Sequence, residues 1–194
     1  MTEDLRAEKK AFRKKVNQLI AAQTPEQNLK ASAAIMERIE KLPEFQKAKV
    51  VMAFWSFKGE VHTHDFVRKW ADRKQMLLPV VDGDDMLIKE YKDDSSMAEG
   101  GSFGIMEPVG ALFTEYGKID FIIVPGLAFD RDFNRLGRGK AYYDKFLSKV
   151  DSLKAAICFD FQFFDRVPAD ERDIRMDMVI AESFQNERSA LRRS

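Results

Sequence analysis

One loop holds most of the side chains that could do chemistry. Residues 134–144 read NRLGRGKAYYD, a run of cations and small residues just before a predicted helix. Its three cations and two glycines are Arg135, Arg138, Lys140, Gly137 and Gly139. Glycine lets backbone N–H groups approach an anion closely, and the first turn of a helix presents free N–H groups with partial positive charge. The segment is therefore predicted to bind phosphate.

The loop differs from a P-loop. That motif has a glycine five positions before its Gly-Lys pair and a Ser or Thr directly after it. Here Asn134 stands at the first position and Ala141 at the second.

Two residues after the cations each have two interpretations. Asp144 could pair with Lys140 one helical turn away, which is worth about 0.2–0.5 kcal/mol on a solvated face. It could equally bind Mg²⁺, which usually takes one or two carboxylates plus substrate phosphates. Tyr143 falls on the apolar stripe of the predicted helix and Tyr142 falls off it, so Tyr143 is either core or site.

The composition indicates one domain spanning residues 1–194. The 32 Lys and Arg residues balance 32 Asp and Glu residues, and 45% of the chain is hydrophobic. A neutral chain argues against a broad nucleic-acid surface, and no apolar run is long enough for a membrane span. The charged start MTEDLRAEKK is unlike a signal peptide, so we expect a cytoplasmic protein. The single cysteine, Cys158, lies in an apolar run and is interpreted as core.

Hydrophobic periodicity predicts two helices before any strand. The first covers residues 4–22, and the second begins at Pro25 with Thr24 as its N-cap. Strands and helices alternate afterwards. Strands are predicted at 49–55, 76–81, 86–91, 119–124, 153–159 and 178–181, helices at 62–74 and 139–150, and a polar loop at 95–104.

This order predicts an α/β fold: a three-layer α/β/α sandwich with a largely parallel central sheet and two N-terminal helices. Pro79 suggests that its strand is an edge or is bent. Ligands of such sheets bind beyond the carboxyl ends of the strands, which points to the loops after Trp55 and Val124.

Charged residues elsewhere have less specific interpretations. Lys9 and Arg13 flank the apolar stripe of the first helix, where they could reach a cleft or form a solvated basic face. Glu60 follows a buried strand and on its own would be surface. His62 and His64 lack a third soft ligand, which favours a surface role at a helix start over metal binding.

The segment PGLAFDRDFNRLGRGKAYYDKFL resembles the signature of the 5-formyltetrahydrofolate cyclo-ligase (5,10-methenyltetrahydrofolate synthetase) family, PGlaFD…G.RLGrGkGYYD.fL. The resemblance extends over nearly the whole chain: a basic first helix, SFKGEVHT after a strand, a Glu-Pro pair and VPADERDIRMD near the C-terminus. Two residues depart from the signature. Ala141 replaces a usual glycine, and Phe133 stands where glycine is frequent.

The resemblance implies a ligase that uses ATP and Mg²⁺ to cyclise 5-formyltetrahydrofolate to 5,10-methenyltetrahydrofolate. ADP and phosphate are released, and the intermediate is an imidate phosphate. The implied partners are therefore small molecules, with no nucleic acid and no membrane, and we expect a monomer. The sequence does not specify the polyglutamate tail that is accepted.

The resemblance also implies residue roles. Arg138 and Lys140 would be catalytic, and Asp144 and Asp173 would bind Mg²⁺, whereas Asp177 is equally a cap or a partner of Arg175. The implied nucleotide site consists of Lys9, Lys10, Ala11, Phe12, Arg13, Arg135, Leu136, Gly137, Arg138, Gly139, Lys140, Ala141, Tyr142 and Tyr143. The implied folate site consists of Trp55, Glu60, Arg138, Gly139, Lys140, Ala141 and Tyr142. Core packing remains the alternative for Trp55.

Two other functions share parts of this pattern. A regulatory module could bind nucleotide through the same cations without consuming it. An isomerase or acyl-transferase could use a similar sandwich, but it would need a carboxylate base or a nucleophile where this loop offers cations.

Overall fold

A computed structural model describes residues 2–100 and 106–188. Its main feature is a seven-stranded sheet with the spatial order β12-β11-β9-β6-β1-β2-β3. These strands are β1 Val50–Met52, β2 Gln75–Asp82, β3 Asp85–Tyr91, β6 Phe121–Val124, β9 Leu153–Ile157, β11 Met178–Ile180 and β12 Gln185–Glu187. Smaller sheets are formed by β4 Met97–Glu99 with β5 Met106–Pro108, and by β7 Ala128–Asp130, β8 Arg135–Leu136 and β10 Phe163–Phe164.

The five inner strands are parallel, and the two edge strands β3 and β12 are antiparallel. In chain order, β1, β2, β6, β9 and β11 occupy the spatial order 2-1-3-4-5. The direction of winding therefore reverses between β1 and β6. Such a reversal opens a crevice at the carboxyl ends of the two strands, where ligands of doubly wound sheets bind.

Five α-helices are present in the described part of the chain: α1 Glu3–Ala21, α2 Pro25–Lys41, α3 Pro43–Lys47, α4 His64–Ala71 and α5 Tyr142–Leu147. The predicted start of α2 is confirmed, because Thr24 caps it and exchanges hydrogen bonds with Gln27. In the described residues no helix has the length and apolarity that a bilayer crossing requires.

Two apolar cores cover the two faces of the main sheet. One core packs α2, α3 and α4 against residues such as Val51 and Ile123. The other packs α5 against the residues that alternate with them, such as Met52 and Ile122. The alternation follows from the two-residue repeat of a strand. The predicted three-layer sandwich with its largely parallel sheet is thereby confirmed.

A third, smaller cluster fixes α1 beside the loops that follow β6. Val16 and the neighbouring Phe12 and Ile20 pack against Leu127 and Leu136. This contact places Lys9 and Arg13 of α1 near the carboxyl end of the sheet.

Several predicted boundaries differ from the structure. The strand predicted at 49–55 is only β1, the helix at 62–74 is only α4, and the helix at 139–150 is only α5. Helix α3 and strands β7, β8, β10 and β12 were not predicted. The predicted loop at 95–104 contains β4, and its last four residues lie outside the described part of the chain.

Pro79 lies in an inner strand, although proline is typical of edge strands. The prediction of an edge strand was wrong, because β2 lies between β1 and β3. However, β1 pairs only with residues 75–77, so beyond them β2 is paired on one side alone. The missing N–H of proline therefore costs no ladder hydrogen bond on the open side.

Candidate active site

A cavity of about 910 Å³ lies at the carboxyl ends of β1 and β6, where the winding reverses. Most of its lining comes from α1, the loop after β1, the segment from β6 to the end of α5, and residues 170–173, with Val81 of β2 and Glu107 of β5 in addition. Its size is typical of a site for a small ligand or cofactor. The predicted site residues that line it are Lys9, Arg13, Glu60, Arg135, Leu136, Gly137, Arg138, Gly139, Lys140, Ala141, Tyr142, Tyr143, Asp144 and Asp173.

The cationic loop is anchored by a buried carboxylate. Asp130 is fully buried at the end of β7. It accepts hydrogen bonds from the backbone N–H groups of Asp132, Asn134 and Val167, at 2.9–3.0 Å, and from the side chain of Asn134. Asp130 had no predicted role. Its position directly after the apolar run PGLAF could have indicated a buried carboxylate that holds the following loop.

Left-handed backbone conformations explain two departures from the family signature. Phe133 has φ 64° and Ala141 has φ 58°, whereas non-glycine residues rarely adopt positive φ. Ala141 therefore ends the loop in a conformation that glycine favours, and α5 begins only at Tyr142. Gly139 also has positive φ, at 102°, and a Cβ there would lie 3.4 Å from the guanidinium carbon of Arg13. That distance is an ordinary van der Waals contact, so the positive φ of Gly139, and not a lack of space, is what favours glycine at this position.

Three ion pairs join the parts of the cavity wall. Arg135 Nη2 lies 2.8 Å from Asp144 Oδ2, Arg138 Nη2 lies 2.9 Å from Glu60 Oε1, and Lys9 Nζ lies 2.5 Å from Asp173 Oδ2. The second pair connects the loops after β1 and β6, the two loops to which the carboxyl-end rule pointed. Gly59, with φ 85°, allows the turn that presents Glu60.

The lining is cationic overall. Seven cationic side chains face five carboxylates, an excess of two positive charges. The cations are Lys9, Arg13, Arg135, Arg138, Lys140, Lys145 and Arg172, and the carboxylates are Glu60, Glu107, Asp144, Asp170 and Asp173. A concave surface with this excess attracts anions.

Arg13 and Lys140 form no ion pair with the residues that the structure describes. Arg13 donates from Nε to the carbonyl of Gly137 at 2.8 Å, which holds α1 against the loop. Burial lowers the pKa of Arg13 from its ordinary value, and the nearby Asp173 carboxylate opposes this shift. Lys140 is exposed and makes no side-chain hydrogen bond within the described ranges. These two cations are available for an anionic ligand.

Two buried polar atoms of the site have no hydrogen-bond partner within the described chain: Arg135 Nε and the Tyr143 hydroxyl. Burial raises the pKa of Tyr143 well above its ordinary value, so the hydroxyl keeps its proton. The guanidinium carbon of Arg135 lies 5.5 Å from the centre of the Tyr143 ring, close enough for a cation–π contact. Tyr143 fits both the core and the site interpretation, because its ring packs on the core and also lines the cavity.

Asp144 and Asp173 suit an ion that a ligand helps to coordinate. Each uses one oxygen for a cation, whereas Asp144 Oδ1 accepts only a long hydrogen bond of 3.4 Å from the Ile174 N–H. Within residues 2–100 and 106–188, no group of three metal-binding side chains is found. Two carboxylates with spare oxygen capacity match Mg²⁺ completed by phosphate oxygens and water. They do not match an ion that the protein encloses alone.

Four predicted site residues are not brought to the cavity. Lys10 and Ala11 are exposed on α1 away from it, and Phe12 packs edge-on against Phe164 with ring centres 4.9 Å apart. Trp55 stacks on His64 instead, at 4.1 Å between ring centres. Trp55 therefore packs against other side chains and does not line the cavity.

The histidines and other secondary candidates serve the fold. His64 is the first residue of α4, two residues after the predicted start of this helix. Its packing on Trp55 and the contact of Nε2 with the Ser56 carbonyl at 3.0 Å correct the surface interpretation. Cys158 is buried, as predicted. Asp177 accepts a hydrogen bond from the Lys154 N–H at 2.8 Å, so it links β9 to the segment before β11.

Comparisons with known proteins identify the family. The sequence model of the 5-formyltetrahydrofolate cyclo-ligase family matches residues 5–182. This chain belongs to that family. It is a ligase of folate one-carbon metabolism, and the family activity is conversion of 5-formyltetrahydrofolate to 5,10-methenyltetrahydrofolate.

Individual relatives agree over most of the chain. The 5-formyltetrahydrofolate cyclo-ligase of Mus musculus is 28% identical over 189 residues, which cover 90% of this chain and 93% of the mouse protein. The 5-formyltetrahydrofolate cyclo-ligase of Escherichia coli K12 is 28% identical over 87% of this chain and 97% of its own length. The NMR structure of Aquifex aeolicus 5,10-methenyltetrahydrofolate synthetase superposes with a TM-score of 0.84 at 35% identity and covers 92% of both chains.

Proposed function

We propose that this cyclo-ligase couples ring closure to ATP in the presence of Mg²⁺, with release of ADP and phosphate. The observation that carries the proposal is the cationic cavity at the reversal of the sheet, in which Arg13 and Lys140 have no ionic partner among the described residues. A triphosphate supplies the negative charge that this lining lacks. The family membership supplies the folate substrate.

The chemistry explains why cations dominate the site. The formyl group on N5 is amide-like, and its oxygen is a poor leaving group. Transfer of the γ-phosphoryl group of ATP to this oxygen gives an imidate phosphate and ADP. The N10 nitrogen then attacks the activated carbon and loses its proton, and the C–O bond breaks to release phosphate with the former formyl oxygen. No protein nucleophile takes part.

Each of these steps gathers negative charge on phosphoryl oxygens. Catalysis then consists of positioning and electrostatic stabilisation. We assign Lys140 and Arg138 to the transferred phosphoryl group, and Lys9, Arg13 and Arg135 to the remaining phosphates. The backbone of the loop from Leu136 to Tyr143 completes the proposed nucleotide site.

Asp144 and Asp173 are the residues that would hold Mg²⁺. Bound there with the nucleotide, the ion would neutralise charge on the phosphate oxygens. The two aspartates keep their carboxylates facing the cavity, because Arg135 and Lys9 neutralise them in the free protein.

We place the pterin ring of the folate against Glu60. Its carboxylate can accept hydrogen bonds from pterin N–H groups. In the free protein Glu60 Oε2 already accepts the Phe57 N–H at 2.9 Å, whereas Oε1 is held by Arg138. Folate binding would therefore compete for Oε1 and release Arg138 towards the reacting formyl oxygen. A monomeric state and a cytoplasmic location stay predictions.

The proposal is tested by reconstitution with defined substrates. Purified protein is mixed with 5-formyltetrahydrofolate, ATP and MgCl₂, and absorbance of the methenyl product, ADP and phosphate are measured together. We expect equal amounts of all three products, and none when ATP is omitted or when EDTA is in excess. Methenyl formation without ATP, or ATP binding without turnover in the presence of folate, would overturn the proposal.

A further inference from the structure

Lys9 contacts a carboxylate that has so far been given no role. Its Nζ lies 2.5 Å from Asp173 Oδ2 and 3.7 Å from Asp170 Oδ2. Lys9 is only 6% exposed, so the ammonium group has little contact with water and depends on these two partners. A desolvated cation next to two carboxylates is strongly coupled to both.

The two carboxylates have different positions in the proposed reaction. Asp173 is a proposed Mg²⁺ ligand, and a bound ion competes with Lys9 for its oxygens. Asp170 has no such competitor. Since an ammonium group has three donors, Lys9 can keep its contact with Asp170 while it turns another N–H towards a phosphate oxygen.

The turn that carries Asp170 presents one carboxylate oxygen to the cavity. Asp170 Oδ1 accepts the Arg172 N–H at 2.9 Å, which closes the turn. Oδ2 faces Lys9 and also lies 3.4 Å from Arg172 Nη2. The Asp170 N–H donates to Asp173 Oδ2 at 2.8 Å, so the same turn fixes both carboxylates around the ammonium group.

We propose that Asp170 is a positioning residue, which retains the Lys9 ammonium group at the cavity wall when Asp173 turns to the metal ion. This inference rests on the proposed function, because it assumes that Lys9 meets a nucleotide phosphate. Asp170 acts through Lys9 and touches neither substrate.

The charge of Asp170 can be separated from its role in the turn. Asp170→Asn retains an oxygen for the Arg172 N–H but removes the negative charge that faces Lys9. Asp170→Glu retains the charge. The matched control is Asp165→Asn, because Asp165 is also an aspartate in an ion pair, with Arg131, but its side chain is 90% exposed and lies outside the cavity.

The experiment measures equilibrium binding of a non-hydrolysable ATP analogue with Mg²⁺ by calorimetry, together with KM for ATP, kcat and Tm. For Asp170→Asn we expect about tenfold weaker nucleotide binding, in the range of coupled neighbouring charges, with kcat within about twofold and Tm close to that of the parent protein. Lys9→Met should weaken binding at least as much. In the double variant, Asp170→Asn should add no further loss, because its effect passes through Lys9.

Three results would overturn the inference. These are parent-like nucleotide binding by Asp170→Asn, multiplication of the two losses in the double variant, and a loss of binding in Asp170→Glu as large as in Asp170→Asn. Asp165→Asn should bind as the parent protein does. If the parent protein itself failed to bind the analogue, the proposed function would fail and the inference with it. Normal binding by the parent and by Asp170→Asn would overturn the inference alone.

Discussion

Lys140→Ala separates the function of the site from its stability. The Lys140 side chain is exposed, and it has neither a carboxylate nor a hydrogen-bond partner among the described residues. Arg135 and Arg138, in contrast, each hold a carboxylate of the cavity wall. Removing Lys140 therefore breaks no contact of the free protein, and we expect the free energy of unfolding to change by less than about 0.5 kcal/mol.

The expected loss of activity is much larger. A unit charge about 4 Å from a phosphoryl oxygen interacts with it by about 4 kcal/mol at an effective dielectric constant of about 20. Removal of one preorganised donor to a charged transition state commonly costs about 3–4 kcal/mol, or about 100-fold to 1,000-fold in kcat. The two approaches give the same magnitude, and we expect Lys140→Ala to abolish turnover in a standard assay.

The assay follows methenyl absorbance with saturating Mg-ATP, and urea unfolding of the same preparation reports stability. Lys149→Ala is the matched control, since Lys149 is also an exposed lysine without an ion pair in the described residues, but it does not line the cavity. We expect parent-like kinetics for this control. Parent-like kinetics in Lys140→Ala would refute the assignment of this cation to the transferred phosphoryl group. An unfolded Lys140→Ala protein would refute the reasoning that the side chain is unpartnered.

Three further predictions concern other parts of the site. Ala141→Gly should raise Tm by a few degrees, because a left-handed L-residue costs about 1–2 kcal/mol and Ala141 has φ 58°; an unchanged or lower Tm in thermal unfolding would contradict it. Lys9→Met should bind Mn²⁺ more tightly than the parent protein without nucleotide, since the ammonium group no longer competes for Asp173; equal affinities by electron paramagnetic resonance would exclude this competition. Burial lowers the pKa of His64, so the unfolded chain binds the proton first and stability falls as the pH decreases through the ordinary value of 6.5. In His64→Gln, the free energy of unfolding measured with urea should depend less on pH between about pH 7.5 and 5.5. An unaltered pH dependence would show that His64 is not its source.

The layers and the place of the cavity could be predicted because they depend on patterns of neighbouring residues. The mostly apolar run IDFIIV at residues 119–124 predicted a strand, and β6 lies in the middle of the sheet. The carboxyl-end rule then pointed to the loops after β1 and β6 as the ligand-binding loops. Arg138 and Glu60 are 78 residues apart and form an ion pair between these two loops.

Other features depend on contacts between distant residues or on backbone geometry. Strands β7 and β8 contain three and two residues, too few for a two-residue periodicity to be visible. Helix α5 was predicted to begin at Gly139, but positive φ at Ala141 delays it to Tyr142. Trp55 ends a run of buried residues, and contacts with residues distant in the sequence, His64 and Tyr91, hold its ring outside the cavity.

The ion pairs of the free protein suggest how ligand binding is coupled across the site. Each pair joins a cation proposed for phosphate or formyl oxygens to a carboxylate proposed for another ligand: Lys9 to Asp173, Arg135 to Asp144, and Arg138 to Glu60. Lys9 and Arg135 are buried, and because a buried charge without a partner is costly, we expect neither to leave its carboxylate before a substitute arrives. Arg138 is half exposed, so its pair with Glu60 is held less tightly. In the proposed mechanism a metal ion at the aspartates would free Lys9 and Arg135 for phosphate, and a pterin at Glu60 would free Arg138. Binding of the nucleotide should therefore strengthen binding of its metal ion, and Lys9 and Arg135 should stay ordered at the cavity wall when no ligand is bound.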